Sequence, residues 1–297
     1  MRRHSFKQRL SAILLCTLTL SSVPRASADV ALWSLRSAQG GEAVLMGTIH
    51  LLPQTDAWQS VALKSAVTNA EVLVLEALLD SSNAAQIQQF SVANGFVTDS
   101  AQFLPNMLDR ADLARLRAAE MQLPVPAQAF DRMQPWFAAL NISIAYASQN
   151  GYTAQAGAEQ WLRSRFRNTG RSIGALEGPI AGLTKLAAMP PSIQMEMLRA
   201  TLAQVEAGGD AIAGLYDAWQ TGNLEDLTTI LMAPEQFHPD VHAAVLVERN
   251  AAWVTPVLNY LATPERELIA VGAAHLLGPG NLIDMLREAG VTVEPLE

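Results

Sequence analysis

The sequence predicts an α/β (α+β) fold, with a central mixed β-sheet built from strands at both chain ends and two large helical insert blocks between them. Three observations carry that expectation. Short Val-, Ile- and Leu-rich runs, each closed by a Gly or a charge, cluster before residue 78 and after residue 266. The long middle is helical in period. No Pro-, Gly- or Ser-rich linker separates independent units, so residues 29–297 read as one domain.

The first 28 residues read as an export signal. Arg2, Arg3, Lys7 and Arg9 form a basic start, Leu10 to Leu20 an apolar stretch too short to span a bilayer, and Ala26-Ser27-Ala28 a small-residue cleavage site. Cleavage after Ala28 would deliver the chain to the periplasm or the medium. It would remove the one cysteine, Cys16, leaving neither a disulfide nor a thiol nucleophile. It would also leave 15 basic against 28 acidic residues, a formal charge of −13. Such acidity disfavours nucleic acid and anionic membrane surfaces as partners, and no later segment is apolar enough for stable membrane insertion. A peptide or a small molecule is the expected partner. The oligomeric state is not readable from these features.

In chain order, Ala31 to Leu35 and Glu42 to Ile49 read as strands joined by a turn at Gln39-Gly40-Gly41. Trp58 to Asn69 has helical period, and Glu71 to Ala77 reads as a buried strand with a charge at its far end. Asn83 to Phe166 is mostly helical, with breaks at Pro105, Pro124-Val125-Pro126 and Gly151. Arg171 to Leu176 is a short strand before Glu177-Gly178-Pro179. A second helical block runs from Ile180 to Tyr260. Glu267 to Val271 is the last strong strand, followed by a helix from Asn281 to Ala289 and a terminal strand at Val291-Thr292-Val293.

Two of these strands end alike. Met46-Gly47-Thr48-Ile49-His50-Leu51-Leu52 and Val271-Gly272-Ala273-Ala274-His275-Leu276-Leu277 each follow an apolar run with Gly-x-x-His-Leu-Leu. Only His238 and His242 join His50 and His275 after the signal, so half the remaining histidines occupy this one slot. Open α/β sheets place ligands beyond the carboxyl ends of their strands. Side by side, the two ends would aim two imidazoles at one point, and Gly47 and Gly272 would permit a close approach of backbone or ligand.

Glu76 ends the run Val72-Leu73-Val74-Leu75, where a carboxylate is costly to bury unless paired or metal-bound. Glu177 closes Ile173-Gly174-Ala175-Leu176 in the same way. Two imidazoles and two carboxylates form a donor set suited to a divalent cation. Arg249-Asn250, with Trp253 three residues on, could clamp a carboxylate or an oxyanion and donate to a carbonyl. His238 and His242 have the i, i+4 spacing of a helical zinc pair, but Pro239 places His238 at a helix cap. No Gly-x-Ser-x-Gly elbow, Walker loop or Gly-x-Gly-x-x-Gly is present, which leaves serine hydrolysis and nucleotide binding without support.

Taken in order, Gly47-Thr48-Ile49-His50, Val74-Leu75-Glu76, Gln134-Pro135-Trp136, Gly157-Ala158-Glu159, Leu176-Glu177, Glu248-Arg249-Asn250 and Val271 to Gly278 resemble the TraB/PrgY/GumN family. That family is related to the animal Tiki metalloproteases and, more distantly, to erythromycin esterases and haem-binding ChaN-like lipoproteins. The resemblance implies a metal-dependent hydrolase-like fold in which His50, Glu76 and His275 match the metal site and Arg249 and Asn250 its Arg-Asn pair. The chain departs from the family at Glu177-Gly178-Pro179, where many members carry Glu-Thr. The expected cofactor is a divalent ion of the manganese, cobalt or zinc type, and the expected reaction is amide or peptide hydrolysis with Glu76 as ligand or base. The alternative is a haem-, metal- or peptide-binding periplasmic protein without turnover.

Overall fold

The computed structural model describes residues 29–296, apart from 56, 80–81, 209 and 234–237. The export signal read in residues 1–28 lies outside the described residues. Among the described residues, eight strands form two sheets: β1 Leu32–Arg36, β2 Glu42–Thr48, β3 Leu52–Pro53, β4 Val72–Leu75, β5 Tyr152–Thr153, β6 Ser172–Ala175, β7 Glu267–Gly272 and β8 Thr292–Pro295. The main sheet is ordered β6-β4-β7-β2-β1-β8, and β3 and β5 form a separate ribbon. Strands β6, β4, β7 and β2 are parallel, while β1 pairs antiparallel with both β2 and β8. The fold is thus the expected mixed sheet, assembled mainly from both ends of the chain, with β6 added at one edge from between the two helical blocks. No helix among the described residues is long and apolar enough to cross a membrane.

The central strand shows why the sheet strands read as unbroken apolar runs. In β7 the Leu268 and Ala270 side chains join one core, with Met46, Leu73, Leu63, Leu162, Phe166 and Trp219. Ile269 and Val271 join the opposite core, with Leu45, Val74, Trp253, Val257, Leu282 and Leu286. Helices cover both faces, so alternate residues find apolar surroundings on either side. Each fully buried Leu or Ile in such a layer stabilises by about 1.5–3 kcal/mol relative to exposure. A third cluster draws on both helical blocks: Leu116, Ala138 and Ile142 from the first pack against Leu198 and Leu202 from the second. The two blocks therefore share a core of their own, distinct from the two that flank the sheet.

Several local expectations hold in detail. Ser60 caps the helix Val61–Asn69 by accepting from the Leu63 N–H, and Asn281 caps Leu282–Glu288 through Asp284. His238 does sit at a helix cap, accepting from the Asp240 N–H, with Pro239 in the first turn. The stretch from Val241 to Tyr260 is less uniform than its period suggested. A π-helical turn at Ala243–Val247 interrupts it immediately before the helix Glu248–Tyr260. Such turns concentrate at functional sites because they re-aim the side chains that follow. The β3–β5 ribbon, two residues per strand, was too short to leave a periodic signal.

Register decides what the strand ends bring together. Gly47 lies opposite Val271 and Thr48 opposite Gly272, so the two Gly-x-x-His segments leave adjacent strands side by side. Leu75 pairs with Ala270 on one side and Ala175 on the other. The strand leading to Glu76 therefore neighbours β7 and β6, with β7 between it and the strand leading to His50.

Candidate active site

At the carboxyl edge of the four parallel strands, His50, His275, Glu76 and Glu177 emerge in one row, and Arg249 enters from the helix behind them. Arg249 is the hub. Its Nη2 donates to Glu76 Oε2 at 2.6 Å and to Glu177 Oε1 at 2.6 Å, and its Nε donates to both Glu177 oxygens at 3.1 Å. Nη1 donates to the Val245 carbonyl at 3.1 Å, a group on the π-helical turn, and meets His275 Nε2 at 3.1 Å. All five N–H groups of the guanidinium thus have protein partners. Glu177 completes its own set with the indole Nε1–H of Trp253 at 3.0 Å. The ring of that tryptophan lies beneath the Arg249 guanidinium and 4.3 Å, centroid to centroid, from His275.

Glu76 is held on both oxygens. Besides the Arg249 contact at Oε2, its Oε1 accepts the backbone N–H of Gly272 at 2.5 Å and lies 3.7 Å from His275 Nε2. Burial works to raise this carboxyl. The flanking imidazoles, Arg249 and the Gly272 N–H outweigh it and hold the group below the ordinary carboxylate value.

His275 is buried, and its tautomer follows from its neighbour. The Asn250 amide nitrogen donates to the Gly280 carbonyl at 2.8 Å and to the His275 carbonyl at 3.3 Å. That orientation presents Oδ1 to His275 Nδ1 at 2.6 Å, so Nδ1 carries the proton and Nε2 a lone pair. Burial lowers the His275 pKa to about 4, which keeps the ring neutral at physiological pH.

His50 is held by a different device. Its Nδ1 lies 2.7 Å from Glu159 Oε1, which also accepts the Thr48 hydroxyl at 2.5 Å. Glu159 stands in the first turn of the helix Ala158–Asn168. Its carboxylate raises the His50 pKa to about 9. The His50 side chain nevertheless keeps 68% of its surface exposed, so this ion pair adds little to stability.

The two motif glycines differ in what they make possible. A Cβ on Gly272 would stand 3.0 Å from Glu76 Oε1, 3.7 Å from His275 Cδ2 and 3.9 Å from His50 Nε2, so this glycine keeps open the space that all three ligand candidates face. A Cβ on Gly47 would meet Ala273 and Leu276 at 3.2–3.3 Å. There the glycine lets β2 pack against the turn that carries His275. Neither position requires the left-handed backbone.

Of the residues singled out in the sequence, His50, Glu76, Glu177, Arg249, Asn250 and His275 share one edge of the sheet, with Gly47 and Gly272 beneath. His238 and His242 are elsewhere, on the short helix Pro239–His242, where His238 lies 3.4 Å from Glu196. Glu159, Thr48 and Trp253 carry roles that the residue pattern alone did not assign. The i, i+4 spacing of Arg249 and Trp253 was a usable sign that they share a helix face. Glu159 stood among the family motifs, but nothing near it named its partners, since Thr48 and Glu159 are 111 positions apart.

Among the described residues, no three His, Asp, Glu or Cys side chains are drawn together tightly enough to hold a metal as they stand. The chemistry of the donors fits one all the same. Two imidazoles each have Nδ1 engaged by an acceptor, as metal-binding histidines do, and both face the Gly272 space beside a carboxylate oxygen. The half-buried pair Glu76 and Glu177 also carries one more negative charge than Arg249 neutralises.

The family model of the TraB/PrgY/gumN family matches residues 31–295, nearly all of the described chain. The chain belongs to that family. Among its curated relatives are the uncharacterised protein YbaP of Escherichia coli (strain K12) and that of Shigella flexneri, each 23% identical over 243 residues. The match covers 82% of this chain and 87% of each relative, so the family likeness extends over whole chains rather than over the site motifs alone.

Proposed function

We propose that this family member is an exported metal-dependent hydrolase acting on an amide or peptide bond. One observation carries the reading: the two Gly-x-x-His imidazoles are each held at Nδ1 and turn towards the same open space over Gly272, beside Glu76 Oε1. His50, Glu76 and His275 would hold the ion, and a manganese, cobalt or zinc ion there would acidify water and polarise a carbonyl. Arg249 acts as a positioning residue. Its donors are all engaged in fixing Glu76 and Glu177, so a substrate oxygen reaches it only by exchange with a protein partner. Asn250 selects the His275 tautomer, and Glu159 does the corresponding work for His50. The acidic net charge and the basic-then-apolar start of the sequence support an exported protein with a peptide or small-molecule substrate rather than a nucleic-acid partner.

The test is metal content. Purified mature protein titrated with manganese, cobalt and zinc should take up one ion per site, and His50→Ala and His275→Ala should abolish that uptake. Cleavage of a fluorogenic peptide library should require the added ion and vanish in Glu76→Gln. Uptake identical in wild type and both histidine variants would sink the metal centre. Metal uptake without cleavage of any library member would remove the peptidase and leave a binding protein.

A further inference from the structure

A cavity of about 540 Å³ opens beside the helix that carries Glu159, the partner of His50. Its walls come from the segments after the two ribbon strands, Gln54 and Gln59 on one side and Gln155 on the other, and from the face of the helix Ala158–Asn168 that presents Gln160, Trp161 and Ser164. The connection to the candidate active site is covalent and close. Gln160 follows Glu159, the residue that holds His50, and the Ala158 N–H donates to the Ile49 carbonyl at 3.2 Å. Gly157 packs so tightly beneath His50 that a Cβ there would collide with the His50 carbonyl. The backbone at His50 thus packs directly against the segment that leads into the groove-lining helix.

The lining of this cavity is polar but uncharged. The chain has a formal net charge of −8, yet every described residue lining the cavity is uncharged, and four of them are glutamines. Primary amides donate and accept at once, which suits them to a peptide main chain, whose N–H and C=O groups alternate. A sugar would be expected to stack on an open aromatic face. The Trp161 face is instead occupied by Arg165, 5.1 Å from the ring, and Trp58 packs against the same indole in a T-shaped arrangement at 5.2 Å. The volume falls in the range of ordinary ligand sites.

We infer that this glutamine-lined groove is the substrate subsite beside His50 and that it takes an extended, uncharged peptide segment. The inference deepens the hydrolase reading by naming its substrate class, and it rests on that reading only for the fate of the peptide, not for its binding. A segment carrying Asp or Glu would keep its main-chain pairing but meet an acidic protein, whereas a neutral polar segment would be paired along its main chain without that repulsion.

Binding is measured on the mature protein carrying Glu76→Gln, so that turnover cannot interfere. The probes are two fluorescently labelled heptapeptide pools, one of Ala, Ser, Thr, Asn, Gln and Leu, the other with Asp and Glu at alternate positions. The neutral pool should bind at least tenfold more tightly. Gln155→Glu with Gln160→Glu, two exposed positions, should weaken neutral-pool binding about tenfold with unchanged thermal unfolding, and Gln155→Lys with Gln160→Lys should shift preference towards the acidic pool. Equal binding of both pools, or variants indistinguishable from the parent, would overturn the subsite. Chitotetraose bound in place of peptide, and lost in the same variants, would overturn the peptide assignment. Neutral-pool binding without cleavage by the metal-loaded wild type would leave the subsite standing and count against hydrolysis alone.

Discussion

Arg249 donates from Nη1 to Nε2 of His275 across 3.1 Å, and so occupies the one ring nitrogen of His275 that has a lone pair. The same guanidinium holds Glu76 and Glu177 apart from each other at 2.6 Å contacts. It is at once the counter-charge that lets two carboxylates be buried and the competitor of any ion that would use His275. These two roles make opposite demands on an Arg249 substitution, and so they can be separated.

Arg249→Ala should destabilise the metal-free protein, by up to roughly 3–5 kcal/mol, because it strands two largely desolvated carboxylates. Arg249→Lys keeps one charge but loses the fork that reaches both acids, and should cost less. Urea unfolding with and without manganese checks this. The ion should restore more stability to the Ala variant than to the parent, and a variant as stable as the parent without metal would count against the buried-charge account.

Asn250→Ala removes no proposed ligand, yet it frees the Nδ1–H of His275 and lets the ring change tautomer. Loss of such an outer partner typically costs 10–100-fold in metal affinity. Competition against a fluorescent chelator measures that loss directly. Unchanged affinity would mean that packing against Trp253 alone orients the ring.

Gly272→Ala and Gly47→Ala should separate the two halves of the sequence echo. At Gly272 the backbone has φ −53° and ψ 137°, which alanine adopts without strain, but the new methyl would fill the space before Glu76, His275 and His50. The fold should survive while metal uptake and cleavage are lost. At Gly47 the methyl meets the turn bearing His275, an overpacking expected to cost about 1–3 kcal/mol. A lowered melting temperature with metal uptake largely kept is the expected result there.

The two imidazoles should titrate at opposite ends of the pH scale in the metal-free protein. His275, lowered by burial from 6.5 to about 4, contributes stability that is present above pH 6.5 and lost as pH falls through 4, on the order of 3 kcal/mol in all. His50, raised by Glu159 from 6.5 to about 9, acts in reverse: its contribution is present below pH 6.5 and lost as pH rises through 9. Nuclear magnetic resonance of the ring protons reads both. Glu159→Gln should return His50 towards 6.5 and leave His275 where it is.

Much of this was legible because it is local. Apolar runs of four to seven residues must be buried on both faces, so their order along the chain already implied a sheet drawn from both ends. A Gly-x-x-His at the end of two such runs, and a carboxylate closing two others, announced a site at one edge. Pro239 announced the His238 cap, because a proline in the first turn commits its predecessor. The π-helical turn left no such mark, since apolar spacing changes too little over five residues to betray it.

The sequence by itself determined the type of fold and the strand-end positions of His50, Glu76, Glu177 and His275, and it singled out Arg249 and Asn250 on a helical stretch. Tertiary structure alone decided that β7 separates the strands leading to His50 and Glu76, that Arg249 spends all five donors on the protein, and that Glu159 holds His50. The physical reason is one of range. Burial and capping are felt within a few residues and leave a pattern in the chain, whereas a hydrogen bond formed across more than a hundred positions depends only on where the folded backbone happens to bring its partners.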